Sequence, residues 1–428
     1  MTKGVRLLRL AALALSLAAP VAAAEPDSAA SSAADVPEPP ERHYGLDYRA
    51  KFLPAEGVVQ MSVKVRQSTA LVRSVEFRFD PERYSNFEAD GGLEVSGETV
   101  QWNPPPRGGA LRYSLRLDHR RGQGGFDSRM ANNWAVFRGD DLLPPATVRS
   151  LKGASSRARI RLSGPNGWSF AVAYPRSKDA PEWYVVDRPD RRFDRPVGWM
   201  AAGRLGVRRD TIAGRRVAVA GPTDQGIRRL DMLAFLRWNL PSLVDIFPDF
   251  PDRVLVVSAG DPMWRGGLSG PGSLYIHADR PLISGNGTST LLHELMHVAQ
   301  GFRAATDEDW IVEGMAEYYT LEIMRRSGTL SESRHRRGLE KLEQWAAGSE
   351  SLGTAKSSGA RTARGVVVMR DLDRELRDRS DGRYCLDDVA RQLSQDGRPV
   401  SLKRLRTLSA RLAGGPAQTL SPERLGLD

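Results

Sequence analysis

The stretch TSTLLHELMHVAQGF (residues 288–302) contains the pattern H-E-x-x-H. Polar residues 286–290 precede it as capping residues and no proline interrupts it, so the segment can form a helix. Residues i and i+4 share one face of a helix, so His293 and His297 can present their imidazoles to a single ion. Glu294 lies beside them and can reach a water on that ion without binding it. The stretch therefore predicts a zinc site.

A catalytic zinc site needs a third protein ligand, and DWIVEGMAEYYT (residues 309–320) offers two carboxylates. Glu313 and Glu317 are one helical turn apart and share a face. A histidine that binds zinc usually donates its second ring N–H to a carboxylate. The two glutamates can therefore divide into a zinc ligand and a partner of a ligating histidine. The alternative is a chance H-E-x-x-H match beside an ordinary amphipathic helix with i,i+4 charges.

The two stretches together resemble the gluzincin metallopeptidases, through H-E-x-x-H and the W-x-x-E-G-x-A-x-Y of residues 310–318. The strongest likeness is to the glycyl aminopeptidase family, which is related to aminopeptidase N. Residues 362–393 are similar to that family's segment after the zinc helices, with its K-G, L-D-x-x-L-R and S-L-D-D patterns. RGGLSGPGSLYI (residues 265–276) resembles its G-G-L-E-H strand. The likeness covers residues 254–393 well and the preceding β region loosely.

This resemblance implies a thermolysin-like catalytic domain that binds one Zn²⁺ ion through His293, His297 and Glu313. It assigns Glu294 as the general base and leaves Glu317 as the carboxylate that orients a ligand. The implied activity is hydrolysis of a peptide or protein substrate by a water that zinc polarises and Glu294 deprotonates. Because the sequence ends soon after the matched region, we expect no PDZ domain of the kind common in that family.

Two departures from the family pattern bear on specificity and rate. The family's G-G-L-E-H glutamate helps to anchor the free amino terminus of the substrate, and Ser269 stands at that position. A hydroxyl cannot pair with an ammonium as a carboxylate does, so we expect a specificity altered from that of an aminopeptidase. Thr362 stands where the family has an oxyanion-donating tyrosine, a loss worth about 10²–10³ in rate. Arg364, Tyr384 or a residue of the loop 346–361 could donate instead.

Candidate substrate-binding residues are Gly267, Ser269 and His277, near the predicted edge strand beside the cleft. The alternative for His277 is a structural or exposed strand histidine. A different class of function also remains open, in which the chain is a catalytically weak or inactive scaffold of the cell envelope that zinc stabilises and that binds peptides. Ser269 and Thr362 motivate that second hypothesis.

The N-terminus has the order of a secretory signal peptide. A basic start and the apolar residues 10–19, ended by three alanines, predict a signal peptide over residues 1–24 with cleavage near Ala24. The alternative, an uncleaved anchor, has a short apolar run for spanning a bilayer. Residues 25–42, rich in Ala, Ser and Pro, are predicted to be a flexible linker. We expect a periplasmic or secreted protein without a stable membrane span.

The rest of the chain changes near its middle from sequence patterns typical of strands to patterns typical of helices. Strands with period-two alternation, such as residues 61–65, 111–117 and 158–162, predict a β-sandwich-like domain over residues 43–220. Residues 221–428 are predicted to form the thermolysin-like domain, which is mostly helical and carries a small mixed sheet. The fold class is therefore multidomain α+β.

The first helix of the second half is predicted from Ile227, Leu230, Leu233 and Leu236, which repeat at helical spacing. Pro241 predicts where this helix ends.

Composition argues against a nucleic-acid binder. The formal charge is +10, but the arginines are spread along the chain, and the largest group, residues 334–337 with His335, is predicted to lie on polar helical surface. Nucleic-acid binding usually needs a concentrated basic stripe with a matching motif. A membrane-surface binder has only the same charge in its favour. Cys385 is the sole cysteine, so no intrachain disulfide can form, which suits an exported protein with a large core.

Overall fold

The computed structural model describes residues 42–122, 124–186, 192–353, 357–395 and 397–427. The predicted signal peptide (residues 1–24) lies outside the described residues, as does the predicted linker except for Arg42, which begins the first strand. In this described part of the chain, none of the helices combines the length and the apolar character needed to cross a membrane.

Twenty strands are found in the described residues: β1 (Arg42–Leu53), β2 (Val58–Arg66), β3 (Val72–Arg78), β4 (Tyr84–Ala89), β5 (Gly92–Ser96), β6 (Thr99–Asn103), β7 (Gly108–Arg116), β8 (His119–Arg120), β9 (Phe126–Met130), β10 (Trp134–Arg138), β11 (Ala146–Ser150), β12 (Ala154–Ser163), β13 (Ser169–Ala171), β14 (Tyr184–Val185), β15 (Trp199–Gly203), β16 (Leu205–Ile212), β17 (Arg215–Pro222), β18 (Arg253–Ala259), β19 (Gly267–Gly270) and β20 (Ser273–His277).

The helices concentrate in the second half of the chain: α1 (Gly139–Leu142), α2 (Arg229–Ile246), α3 (Thr290–Gln300), α4 (Asp309–Arg326), α5 (Glu332–Ala346), α6 (Ala360–Arg379), α7 (Leu386–Gln395), α8 (Leu402–Ala413) and α9 (Pro422–Leu425), with a 3₁₀ turn at Gln418–Leu420. Of these only the short α1 precedes β16. The multidomain α+β class is therefore confirmed, with strands first and helices after.

Three sheets occupy the first half. Their strand orders are β14-β12-β1-β2-β7-β4, β13-β15-β10-β9-β8 and β11-β3-β6-β5. In β2, buried Val59, Met61, Val63 and Val65 alternate with residues that face solvent, as the period-two pattern predicted. Burial also alternates along most of β7 and throughout β12. These inward side chains form one core that includes Tyr48, Phe52 and Trp102.

The fourth sheet is the small mixed sheet, with strand order β16-β17-β18-β20-β19. Its central strands β17, β18 and β20 are parallel, and both edge strands pair antiparallel. One face, with Val256 and Leu274, packs in the same core as helices α2 and α3. The other face, with Leu255 and Tyr275, packs against Trp199 of β15. The sheet therefore lies between the helices and the β region.

The predicted domain division at residues 220/221 falls within β17. Strand pairing joins β16 to β17 and β17 to β18, so both strands belong to the mixed sheet. The alternation of apolar and polar residues in these two strands is the same as in the preceding strands. A strand with one face exposed to solvent shows this alternation in whichever sheet it lies. The division of the chain into domains stays a prediction.

Helix α2 differs from its prediction in two ways. It continues past Pro241 to Ile246, because Pro241 lies on the exposed face. A proline there removes one N–H, and the carbonyl four residues earlier is left where water can reach it. The predicted apolar stripe is also wrong at Leu230, which is 62% exposed. The buried stripe consists of Met232, Phe235, Leu236, Asn239, Leu240, Leu243 and Ile246.

Candidate metal centre

Helix α3 carries the H-E-x-x-H pattern and has well-formed ends. The Ser289 hydroxyl caps it by accepting the Leu292 N–H at 3.3 Å. Gly301, with φ of 63°, ends it in the left-handed conformation that favours glycine. Leu292 and Met296 are completely buried in the helical core. Burial of that face fixes the rotation of α3 and leaves its histidine face turned toward α4.

Helix α4 supplies the carboxylates. Large side chains bury several faces of this helix, among them Trp310 and Tyr319. Its backbone approaches that of α6 so closely that a Cβ atom on Gly314 would lie 2.7 Å from the carbonyl carbon of Gly365. Glycine at both positions therefore allows the close contact between α4 and α6, which helps to hold α4 beside α3. Glu313 is the residue next to that contact. Sequence reasoning missed this structural role, although the family pattern around Gly365 was a signal for it.

Three ligand atoms meet where the helices face each other. The Nε2 atoms of His293 and His297 are 3.1 Å apart. Glu313 Oε2 lies 3.2 Å from His293 Nε2, and Glu313 Oε1 lies 3.5 Å from His297 Nε2. Tetrahedral zinc with ligands at about 2.0–2.2 Å separates its ligand atoms by about 3.3–3.6 Å. The three residues could therefore hold one metal ion, since one ligand atom from each can be chosen so that all three lie within 4.8 Å of one another.

The proton on His293 is placed by Glu317. His293 Nδ1 lies 2.9 Å from Glu317 Oε2, and a carboxylate only accepts, so Nδ1 donates. In the neutral ring, His293 Nε2 carries no proton, and its lone pair is directed at Glu313 and His297. When the ring is protonated, Nε2 instead donates to Glu313, so these atoms bind either a proton or a metal ion. The Glu317–His293 contact is the carboxylate–histidine arrangement that supports metal ligands.

Burial and charge act in opposite directions on these groups. Burial disfavours the ionised Glu313 carboxyl, but hydrogen bonds with His293 and His297 outweigh burial and lower its pKa. Burial likewise opposes protonation of His293, but Glu313 and Glu317 outweigh burial and raise its pKa. Protons and a metal ion therefore compete for the same ligand atoms.

Glu294 is the most buried carboxylate of the centre. Burial raises its pKa, and the neighbouring histidines oppose that rise. A carboxylate with a raised pKa near a metal ligand set suits general-base chemistry, since proton transfer is most efficient when the pKa approaches the working pH.

The edge strand β19 borders Glu294. A Cβ atom on Gly267 would lie 2.7 Å from Glu294 Cγ, so only glycine leaves room for this side chain. Ser269, on the same strand, lowers the pKa of the Glu294 carboxyl slightly against the effect of burial. The structure thus brings Gly267 and Ser269, two of the predicted substrate-binding residues, to the base.

The third predicted substrate-binding residue, His277, is not brought there. It is 1% exposed, its Nδ1 accepts the Asp279 N–H at 3.2 Å, and its Nε2 lies 3.5 Å from Asp261. Alternation along β20 places it on the face of Tyr275, which packs on the β region, whereas α3 covers the other face. Burial lowers the pKa of His277. Its placement matches the structural alternative.

The two named candidates for oxyanion donor also lie elsewhere. Arg364 donates to the carbonyls of Ser349 and Arg424 at 2.6 and 3.0 Å. Helix α6 passes α4 at Gly365 and then continues for about 20 Å before it ends, and Tyr384 follows that end. These positions support neither prediction. A sequence pattern along α6 does not show which end of that helix lies at the metal centre.

No protein-family model and no curated protein sequence matches this chain. Solved structures do match it. An aminopeptidase N family protein from Idiomarina loihiensis superposes with a TM-score of 0.64 at 15% identity, covering 82% of this chain and 70% of the other. An M1 zinc metallopeptidase from Deinococcus radiodurans superposes with a TM-score of 0.56 at 18% identity, covering 90% and 94%. A point mutant of that enzyme also gives 0.56, at 17% identity.

At such identities the superpositions speak for the fold alone. They agree with the resemblance found in the sequence, in which two helices bring H-E-x-x-H and a downstream glutamate together. The chain has a gluzincin, aminopeptidase-like fold, the fold of the aminopeptidase N and M1 zinc metallopeptidase structures.

Proposed function

We propose that this chain is an exported zinc-dependent metallopeptidase whose specificity differs from that of an aminopeptidase. The observation that carries the proposal is the convergence of His293, His297 and Glu313 ligand atoms, all within 4.8 Å of one another, with Glu294 beside them. Zinc held by these residues supplies a Lewis acid that lowers the pKa of water toward about 7.

The protein's own groups then manage the proton. Of the three carboxylates described at the centre, Glu294 is the one that neither binds the metal nor supports a ligand. It accepts the proton of the attacking water and delivers it to the leaving amine, so one buried carboxylate serves both halves of the reaction. Glu317 accepts from His293 Nδ1 and holds that ring in the tautomer with a free Nε2.

Ser269 supports the altered specificity. The residue at the position of the family's amine-anchoring glutamate is a serine, and its effect on Glu294 is a slight lowering of that carboxyl's pKa. It therefore offers no carboxylate to a substrate ammonium, and the neighbouring Gly270 carries no side chain. Cleavage away from the amino terminus, as in an endopeptidase, is what this arrangement favours. Export to the periplasm or medium rests on the basic start and apolar run of residues 1–24.

The test compares the purified protein with its Glu294→Gln variant. We expect one zinc per chain in both, measured by elemental analysis. Cleavage of a peptide library should fall about 10²–10⁴-fold in the variant, as for loss of a general base. Peptides with free and acetylated amino termini should be cut alike. Absence of zinc, or library cleavage that Glu294→Gln does not reduce, would refute the proposal.

A second function has its own observation. The Thr362 hydroxyl lies 3.0 Å from the Ser357 hydroxyl, and Arg364 and Tyr384 are placed elsewhere, so none of the named residues is free to stabilise an oxyanion. This favours a catalytically weak or inactive scaffold of the cell envelope, stabilised by zinc, that binds peptides. Full zinc occupancy with peptide binding but no hydrolysis of any library member would favour the scaffold over the enzyme.

A further inference from the structure

A solvent-accessible cleft lies on the far side of the mixed sheet from the metal centre. It consists of two adjoining cavities of about 360 and 280 Å³ that share Arg209, Arg253 and Leu255. Leu255 belongs to the sheet face that packs toward the β region, whereas α3 and its histidines cover the opposite face. The cleft therefore has no part in the chemistry proposed above.

Strand pairing sets three arginines side by side in this cleft. Arg216 of β17 is the register partner of Arg253 of β18, and Arg209 of β16 is the partner of Ala218. Register partners project from the same face of a sheet, and neighbouring strands are about 4.8 Å apart. Arg216 and Ala218 share a face because they are two residues apart. Three guanidinium groups from three adjacent strands thus reach into one space.

These charges are not neutralised within the part of the chain that the structure describes. None of Arg209, Arg216 and Arg253 has a carboxylate within 4.0 Å there, although Asp210 lines the cleft, because Asp210 pairs with Arg237. Like charges directly opposite each other on neighbouring strands destabilise a sheet. Burial, and then Arg216, lower the pKa of Arg253, and they outweigh the opposing charge of Asp252, whose carboxylate pairs with Arg215. Repulsion of this kind is relieved when an anion binds.

We propose that Arg209, Arg216 and Arg253 form a binding site for a phosphate monoester. The guanidinium fork matches phosphate oxygens in bidentate fashion. Three such groups can balance a phosphate dianion, whereas a single carboxylate would engage only one guanidinium group. The partly exposed apolar side chain of Val172 in the cleft wall provides contact for the organic part of the ligand. The same chemistry is offered by a soluble phosphate ester and by a phosphorylated lipid headgroup.

The experiment titrates the full-length protein with phenyl phosphate by calorimetry, and measures sedimentation with vesicles of phosphatidylcholine with and without phosphatidic acid. The double variant Arg216→Gln/Arg253→Gln removes two of the three groups. Arg208→Gln is the matched control, since Arg208 adjoins Arg209 but pairs with Val219 and so lies on the other sheet face. We expect about tenfold weaker binding for each arginine lost and no change in the control.

The outcomes separate cleanly. Binding of phenyl phosphate assigns a soluble ester, and sedimentation only with phosphatidic acid assigns a headgroup. No binding of either probe, or equal weakening by Arg208→Gln, would overturn the proposal. Should the double variant fail to fold, Arg253→Lys keeps the charge but loses the fork, and unchanged affinity in that variant would overturn it equally. Zinc content and peptide hydrolysis, measured in parallel, are expected to stay unchanged, so this site and the proposed function fail independently.

Discussion

Helix α4 carries a carboxylate that faces a histidine near each end, and the two pairs differ in what surrounds them. Near its start, Glu313 faces His293 at 3.2 Å. Toward its other end, Glu322 lies 2.8 Å from His335 and 3.0 Å from Arg325. In the described residues, arginines contribute ion pairs only to the second of these pairs. One helix thus shows a candidate metal-ligand arrangement and a structural ion pair, the second of which is more deeply buried.

The difference teaches what makes a histidine–carboxylate contact a candidate metal site. At Glu322 the cationic side chains already balance the buried carboxylate, so the group is complete. At Glu313 a second histidine nitrogen lies 3.1 Å from the first, and Glu317 accepts from His293 Nδ1, so His293 Nε2 is left to bind either a proton or a metal ion. One ligand atom from each of His293, His297 and Glu313 can be shared by a single metal ion. Proximity of histidine to glutamate alone therefore carries no functional meaning.

The largest expected effect is loss of the metal. His293→Ala removes one of three ligands, and we expect zinc content to fall from one per chain to none, with peptide hydrolysis lost as well. His335→Ala is the control from the other end of α4 and should keep full zinc. Elemental analysis of both variants checks this, and equal zinc loss in the two would erase the distinction between the pairs.

Breaking the structural pair should instead cost stability. Glu322→Gln leaves His335 and Arg325 without their buried partner, and breaking a buried pair typically costs about 3–5 kcal/mol. We expect that decrease in the free energy of unfolding by urea, with zinc content unchanged. Glu313→Gln, measured in the same way in the presence of a chelator, should also lower stability, because His293 and His297 stabilise the ionised Glu313 carboxylate in the folded protein. Zinc content separates the two variants: it should be lost in Glu313→Gln alone, and zinc loss in Glu322→Gln would contradict the comparison.

The pH dependence of stability follows from the same carboxylate. Burial alone would raise the Glu322 pKa from its ordinary 4.5, but contacts with His335 and Arg325 outweigh burial and lower it to about 2. A lowered folded-state pKa contributes stability above about pH 4.5 that is lost as the pH falls toward 2. The shift corresponds to about 3 kcal/mol. Urea unfolding of chelated protein between pH 5 and pH 3 should show this slope, and Glu322→Gln should flatten it.

The smallest effect concerns the support of a ligand. Glu317→Gln retains the side-chain shape but weakens the hydrogen bond from His293 Nδ1, and loss of such a partner typically lowers metal affinity about 10–100-fold. Competition with a zinc chelator measures this. Glu340→Gln, an exposed glutamate on α5, is the control and should leave zinc affinity unchanged. If both variants bound zinc like the wild type, Glu317 would have no role in the site.

Sequence reasoning succeeded where function depends on local spacing. An i,i+4 pair on a helix is fixed by helical geometry, so His293 and His297 could be placed together before any fold was known. It failed where the answer depends on packing between elements. His335 sits in a run of arginines and was predicted to be surface, yet it is 8% exposed because its face of α5 packs on α4. His277 was misplaced because alternation along a strand does not say which sheet face meets the site.

The sequence by itself predicted the two helices that carry the candidate zinc ligands, the carboxylate beside them that we propose as the general base, and the α+β order of the chain, because their placement follows from residue spacing and periodicity. Only the tertiary structure decided that Glu313 reaches both histidines and that Ser269 lies near Glu294. It also decided that Tyr384 is separated from Gly365 by most of the length of α6. The tertiary structure alone placed Arg216 beside Arg253, which are 37 positions apart in the sequence but are register partners in the sheet. Such contacts join distant segments, and their geometry is fixed by sheet register and helix packing, which no local pattern encodes.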